Sequence, residues 1–177
     1  MSILVTYATS KGSTIGVAER LAEHLKLYAS SVDCLPVRKV SATSLTKYSA
    51  IIVGSAVQMY EWLTPARNFI HDNEAVLKTK PVWAFSVGFP AEDAERVQQE
   101  GSLAEKIRKY VPDLKAHKFF YGRLRRRDLG VYWRLVLQCF APQYVQRWGD
   151  ERNWEEIEAW ADMVGKEIRD GRSSTAI

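Results

Sequence analysis

Cysteine is scarce in this chain of 177 residues: there are two, Cys34 and Cys139, and their separation matches neither a metal site nor a redox pair. A disulfide framework is therefore not expected, and a reducing cytoplasmic compartment is. Histidine is equally thin. His24, His71 and His117 stand singly along the chain, so no metal-ligand set is expected and zinc catalysis is not suggested. Long apolar runs are also missing. Val131 to Ala141, the longest in the C-terminal third, is interrupted by Arg134 and falls far short of the ~20 residues that span a bilayer. No leader precedes the apolar stretch that starts at Ile3, so no secretory signal is expected. Excess charge is absent from most of the molecule. Residues 122–150 hold six arginines against two aspartates, which accounts for the whole formal charge of +4 and leaves the remainder neutral.

What remains is the composition and length of one folded domain over residues 1–177, large enough to bury a core unaided. Ile3 to Ala8 reads as a buried strand and runs into a hydroxyl-rich loop. Ile15, Ala18, Leu21, Ala22 and Leu25 recur at helical spacing after it, with Ser13 or Thr14 as the expected cap. Further strands are expected at Val32–Val37, Ala50–Gly54, Val82–Val87 and His117–Tyr121. Helices are expected from Pro65 to about Leu77, from Ala94 to Tyr110 and from Trp154 to Ile168. Strands alternating with helices imply a doubly wound parallel sheet of five strands, order 2-1-3-4-5, with helices on both faces. Ligands bind such sheets beyond the strand C-termini, where the order reverses. The loops beginning at Thr9, Ser55 and Gly88 are the ones that topology selects.

Thr9-Ser10-Lys11-Gly12-Ser13-Thr14 sets four hydroxyls and one glycine between a strand and a helix start. Hydroxyls, backbone N–H groups and the helix dipole together suit a phosphate, and Gly12 allows close backbone approach. The lysine precedes the glycine, so the run is not a nucleoside-triphosphate loop. Gly12 and Gly16 alone do not make the dinucleotide fingerprint. A plain capped helix is the competing reading. A receiver-type phosphoacceptor is disfavoured, because the first strand ends in Thr-Ser-Lys with no acidic cluster.

The first loop is similar to the Thr/Ser-x-x-Gly-x-Thr loop of the flavodoxin family. The stretch from Thr6 to Thr14, the phrase Ala84-Phe-Ser-Val-Gly88, and Gly122-Arg-Leu followed by Gly149-Asp-x-x-Asn-Trp154 resemble the branch of menaquinone-dependent protoporphyrinogen IX dehydrogenases (oxidases). That resemblance implies a flavodoxin-like fold, FMN as cofactor, and a basic insert over about 122–150. It implies a flavin-dependent oxidoreductase of heme biosynthesis, passing electrons from a porphyrinogen substrate to a quinone in three two-electron turns. By position, Thr9, Ser10, Lys11, Gly12, Ser13 and Thr14 would cradle the FMN phosphate. Ser55, Ala56, Val57, Gln58, Met59, Tyr60 and Trp62 would flank the ring, with Tyr60 or Trp62 stacking on it. Ser86, Val87, Gly88 and Phe89 would cover its other edge. Electron-carrier flavodoxins often have a glycine in the second loop, whereas Ser55 to Trp62 has none, which favours two-electron chemistry over a one-electron carrier. A carrier that docks with a protein partner through its basic insert is the alternative. No residue is assigned as a catalytic acid or base.

In the insert, Leu129, Trp133, Val136, Leu137 and Phe140 fall at helical spacing behind Arg123, Arg125, Arg126 and Arg127. Arginines beside an apolar, aromatic face suit peripheral contact with the inner membrane face, at about 1 kcal/mol per arginine near anionic lipid. They equally suit the propionates of a porphyrinogen. Nucleic acid is disfavoured, since nothing else in the chain is basic. A solvated loop, or a face packed on the core or on a second copy in a homo-oligomer, is the remaining reading.

Overall fold

The computed structural model describes residues 1–124 and 149–173. In chain order these hold β1 (Ser2–Ala8), α1 (Ser13–Leu25), β2 (Ser31–Pro36), a 3-10 turn (Val37–Lys39), α2 (Ala42–Leu45), β3 (Ala50–Gln58) and β4 (Glu61–Trp62). They continue with α3 (Thr64–Asp72), α4 (Glu74–Leu77), β5 (Val82–Gly88), α5 (Asp93–Arg108), β6 (His117–Tyr121), β7 (Arg123–Leu124), β8 (Gly149–Asp150) and α6 (Trp154–Ser173). Arg125, Arg126 and Arg127, and the amphipathic helix expected over 129–141, lie outside the described residues.

Five strands run parallel in the order β2-β1-β3-β5-β6, the arrangement expected. The sheet also has a sixth member. β4 folds back antiparallel on the end of β3, pairing Val57 with Trp62 and Gln58 with Glu61. Strand alternation divides the core between the two faces. Leu4, Ile51, Val53 and Ala84 point to the side covered by Ala66, Phe69 and Ile70 of α3 and Leu103 and Ile107 of α5. Ile3, Val5, Ile52, Trp83 and Phe85 point to the side covered by Val17 and Leu21 of α1 and Ile157, Trp160 and Val164 of α6.

Two expected boundaries are corrected. The helix expected from Pro65 to Leu77 breaks at Asn73, where φ is −111° and ψ 15°. The Asn73 side chain donates to the Phe69 carbonyl, while its own carbonyl accepts from Val76 and Leu77 N–H groups and starts the next turn. The cap of α1 is neither Ser13 nor Thr14, which lie inside the helix. It is Gly12, in the left-handed region at φ 82°.

Candidate functional site

The C-terminal ends of β1, β3 and β5 open into one cleft. Its walls are Thr9, Ser10, Lys11, Ser13 and Thr14 of the first loop, Ala56, Val57 and Gln58 of the second, Val87, Gly88 and Phe89 of the third, and Gly122, Arg123 and Leu124. The reversal of strand order between β1 and β3 creates this opening, because the connections leaving β1 and β3 depart to opposite faces.

On the first-loop side, the loop is shaped by its own hydrogen bonds. Thr9 Oγ1 accepts from the Gly12 N–H at 3.0 Å, and Ser10 Oγ accepts from Gln58 Nε2 at 3.1 Å, joining the first loop to the second. The left-handed backbone of Gly12 carries the chain into α1 at little strain, since a residue with a Cβ tolerates that region poorly. The helix has no side-chain cap. Its leading N–H groups are left for an incoming acceptor. Thr14 is fully buried, and its hydroxyl has no hydrogen-bond partner among the described residues. An uncapped helix end with an orphaned hydroxyl beneath it fits an anion with several oxygens, such as the phosphate of FMN.

The second-loop side is shaped by the β3–β4 hairpin. Its two tip residues, Met59 and Tyr60, both take positive φ, 49° and 63°, and are 92% and 60% exposed. A two-residue hairpin loop demands this geometry, and glycine or asparagine usually supplies it. Both sit at the rim of a shallow recess shared with Val57 and Phe89, next to the cleft. Of the two aromatics expected to stack on the ring, Tyr60 is at this surface and Trp62 is not. Trp62 is buried, and its indole N–H donates to Ser86 Oγ at 2.7 Å. Ser55 and Ser86 are fully buried within β3 and β5 and do not line the cleft. Ser55 Oγ accepts from the Leu63 N–H at 3.1 Å and donates to the Ala56 carbonyl, so its role is to hold the hairpin's return.

Ser86 leads to a residue that sequence reasoning left unassigned. His117 Nε2 lies 2.8 Å from Ser86 Oγ, and His117 Nδ1 lies 2.9 Å from the Glu100 carbonyl. A carbonyl only accepts, so Nδ1 carries the proton and Nε2 accepts from the Ser86 hydroxyl, which in turn accepts from Trp62. With both nitrogens engaged by protein, the imidazole is enclosed although the residue keeps some exposed surface. Burial pushes its pKa down from 6.5 to about 4. The chain of hydrogen bonds ties β4, β5, β6 and α5 together below the second-loop side of the cleft. A single histidine in a strand gives no sequence signal for such a role.

Two short strands close the other end. β7 pairs antiparallel with β8, Arg123 opposite Asp150 and Leu124 opposite Gly149. The Gly122 N–H donates to the Gly88 carbonyl at 2.8 Å, and the Arg123 N–H donates to Ser13 Oγ at 2.7 Å. A Cβ on Gly122 would lie 3.1 Å from Ser13 Oγ and 3.2 Å from the Gly88 carbonyl oxygen, so a residue without one suits this junction of the first and third loops. After β8, Arg152 grips Asp150 through two side-chain hydrogen bonds and one from its backbone N–H, and its guanidinium lies over the Trp154 ring at 4.4 Å. These bonds hold the Asp150 carboxyl below the usual carboxylate range. The chain leading into residues 125–148 is therefore fastened to the first turn of α1, and the chain returning from them is paired with it through β8.

Other chemistry is sparse. Burial pushes the Cys34 thiol up to about 11, which removes it as a nucleophile near neutral pH. Among the described residues no cluster of His, Cys, Asp and Glu could hold a metal ion, and no helix is long and apolar enough to cross a membrane.

Comparisons with known proteins agree with this geometry. The Flavodoxin domain family matches residues 4–142. Protoporphyrinogen IX dehydrogenase [quinone] of Escherichia coli strain K12 is 24% identical over 108 residues, 60% of this chain and 60% of that protein, so the chain spans well under two thirds of this curated relative. Probable flavodoxin 1 of Bacillus subtilis strain 168 is 30% identical over 59 residues, 33% of this chain and 35% of that one. Among solved structures, a flavodoxin from the domain Archaea superposes with a TM-score of 0.64 at 17% identity, covering 96% of this chain and 99% of its own. That likeness shows the doubly wound flavodoxin-like fold. The chain belongs to the flavodoxin-domain family, and FMN is its cofactor.

Proposed function

We propose that this protein is an FMN-dependent oxidoreductase that oxidises a porphyrinogen and reduces a quinone, with FMN seated in the cleft between the three loops. The observation that carries the seat is the uncapped α1 with the orphaned Thr14 hydroxyl, at the switch point of the sheet. Support for the substrate comes from the partial match to the Escherichia coli dehydrogenase and from the basic insert whose two ends are clipped to the cleft by β7 and β8. FMN, when bound, supplies two-electron exchange between donor and acceptor. This chain's residues bind and orient. Thr9, Ser10, Ser13 and Thr14, with the first N–H groups of α1, hold the phosphate, and Lys11 adds charge at the rim. Ala56, Val57 and Gln58 flank one edge of the ring, Val87, Gly88 and Phe89 the other, and Tyr60 is the aromatic placed to cover it. Three turns would remove six electrons and six protons from one protoporphyrinogen and reduce three quinones to quinols.

A one-electron carrier is the second reading, favoured by the match to a probable flavodoxin. Against it stands the hairpin. Its tip has no glycine, and its return is pinned by Ser55, Trp62 and the Lys106–Glu61 ion pair at 2.5 Å. A backbone so held resists the local rearrangement that a glycine at this position would permit. The test is to load the protein with FMN, desalt it and titrate it anaerobically with protoporphyrinogen. Retained visible flavin bands that bleach in one two-electron phase, and return on adding a quinone, support the proposal. Retained bands indifferent to porphyrinogen, with two-phase reduction by a chemical reductant, support the carrier. Loss of flavin on desalting overturns the assignment of the cleft.

A further inference from the structure

We propose that Arg123 is a phosphate-binding residue of the FMN site, giving the cleft a fixed positive charge in addition to its hydroxyls and backbone N–H groups. The inference rests on the reading of the cleft as the FMN seat and assigns to that seat a residue that the sequence groups instead with the insert's arginines.

Arg123 has a defined place in the cleft. It is the first residue of β7 and lines the cleft together with Thr9, Ser10, Ser13 and Thr14. Its backbone is fixed against the phosphate loop, because its N–H donates to Ser13 Oγ at 2.7 Å. Gly122, immediately before it, fits between Ser13 and the Gly88 carbonyl where a side chain would crowd both.

The side chain then presents an unmet need. Arg123 Nε is buried and has no hydrogen-bond partner among the described residues. A guanidinium offers five N–H donors and no acceptor, and it cannot shed its charge near neutral pH, so an enclosed and unpaired Nε–H is costly. The carboxylate opposite it in the β7–β8 pair is Asp150. Both oxygens of Asp150 are already engaged by Arg152, Oδ1 with Nε at 2.7 Å and Oδ2 with Nη2. Arg123 is thus held beside an acidic residue that is committed elsewhere, in a cleft whose lining, among the described residues, holds no carboxylate. Thr14 Oγ1, also fully buried and without a partner, lines the same cleft. One ligand answers both orphans: an anion with several oxygens at the N-terminus of α1, which is the phosphate end of FMN and not its uncharged ring.

The contact makes this chain selective for the flavin's phosphate, and that property can be read without turnover. FMN and riboflavin are titrated separately into the full-length apoprotein, following quenching of flavin fluorescence, for the wild type, Arg123→Gln and Arg123→Lys. In the expected result the wild type prefers FMN. Arg123→Gln weakens FMN by roughly ten- to a hundredfold, leaves riboflavin within about twofold, and flattens the salt dependence of FMN binding. Arg123→Lys keeps most of the preference, because charge and reach are largely retained. If Arg123→Gln weakens both flavins alike, the residue serves the fold and the proposal fails. It fails also if FMN affinity is unchanged while the wild type binds FMN normally, an outcome that leaves the proposed function standing. A wild type that binds neither flavin overturns the site itself and this inference with it.

Discussion

Thr14 occupies the position where the two readings of the first loop part. A threonine serving as a helix cap spends its oxygen on a nearby backbone N–H. Here the residue lies inside α1, fully buried, with its hydroxyl unpaired. Replacing a buried, unsatisfied hydroxyl with a methyl of the same shape removes a desolvation cost and loses no bond. Thr14→Val is therefore expected to leave the apoprotein as stable as before, or to raise its stability by about 1 kcal/mol, while weakening FMN by about tenfold. Thermal melting of the apoprotein and a fluorescence titration read the two effects separately. A destabilised apoprotein with undiminished FMN affinity would show that the hydroxyl serves the fold. The expectation at this scale is legible from local composition and position: four hydroxyls and a glycine between a strand and a helix point to a phosphate, and the structure gathers Thr9, Ser10, Ser13 and Thr14 at one cleft. Trp62 was not legible in the same way. A loop that names two aromatics does not say which faces inward, and that is decided by the Ser86 hydroxyl 24 positions further on, which takes the indole N–H.

At the scale of elements, the β3–β4 hairpin is where local preference and structure conflict. Left-handed backbone at a residue with a side chain costs on the order of 1 kcal/mol, and Met59 and Tyr60 both adopt it while exposing most of their surface. Neither gains the burial that would offset the strain. On the reading of the hairpin as part of the flavin site, contact with the ligand, and not the turn itself, sets these two residues. The double substitution Met59→Asn and Tyr60→Gly supplies the residues this turn prefers. It is expected to stabilise the protein by about 1–2 kcal/mol and to lower flavin affinity or turnover several-fold, with urea denaturation and flavin titration as the measurements. A stabilised variant with unaltered binding would remove Tyr60 from the site. The hairpin also marks the limit of reading elements from pattern. The five parallel strands show as apolar runs with helices between them, whereas β4 is two residues long and carries no periodicity. The break at Asn73 is hidden likewise, since the apolar spacing continues across it and the cause is one side-chain bond to the Phe69 carbonyl.

For the whole molecule, the enclosed His117 sets how stability depends on pH. Its imidazole joins β5, β6 and α5 and, through Ser86, the β4 hairpin, so the neutral form is built into the packing beneath the cleft. Its pKa falls from 6.5 in the unfolded chain to about 4 in the folded one, because burial disfavours the cation, with the Arg108 charge adding in the same direction and the Glu100 carbonyl opposing. Between those two values the unfolded chain takes up a proton that the folded one refuses. Stability is thus fully present above pH 6.5 and declines as pH falls toward about 4, by about 3 kcal/mol over the interval. Asp33, hydrogen-bonded to Tyr48, and Asp150, hydrogen-bonded to Arg152, both titrate below the ordinary aspartate range, so their contributions are lost at lower pH than the histidine's. Urea denaturation at pH 7, 5.5 and 4.5 should show the decline in the wild type and a much flatter profile in His117→Gln, whose amide can still bond to Ser86 but cannot charge. An equally steep fall in that variant would assign the acid sensitivity to other groups. A histidine alone in a strand has no sequence signature for this role. The shift depends on which hydroxyl and which carbonyl the parallel register sets against the ring, Ser86 directly across from Phe119 and Glu100 one helix away, and these are facts of the assembled sheet.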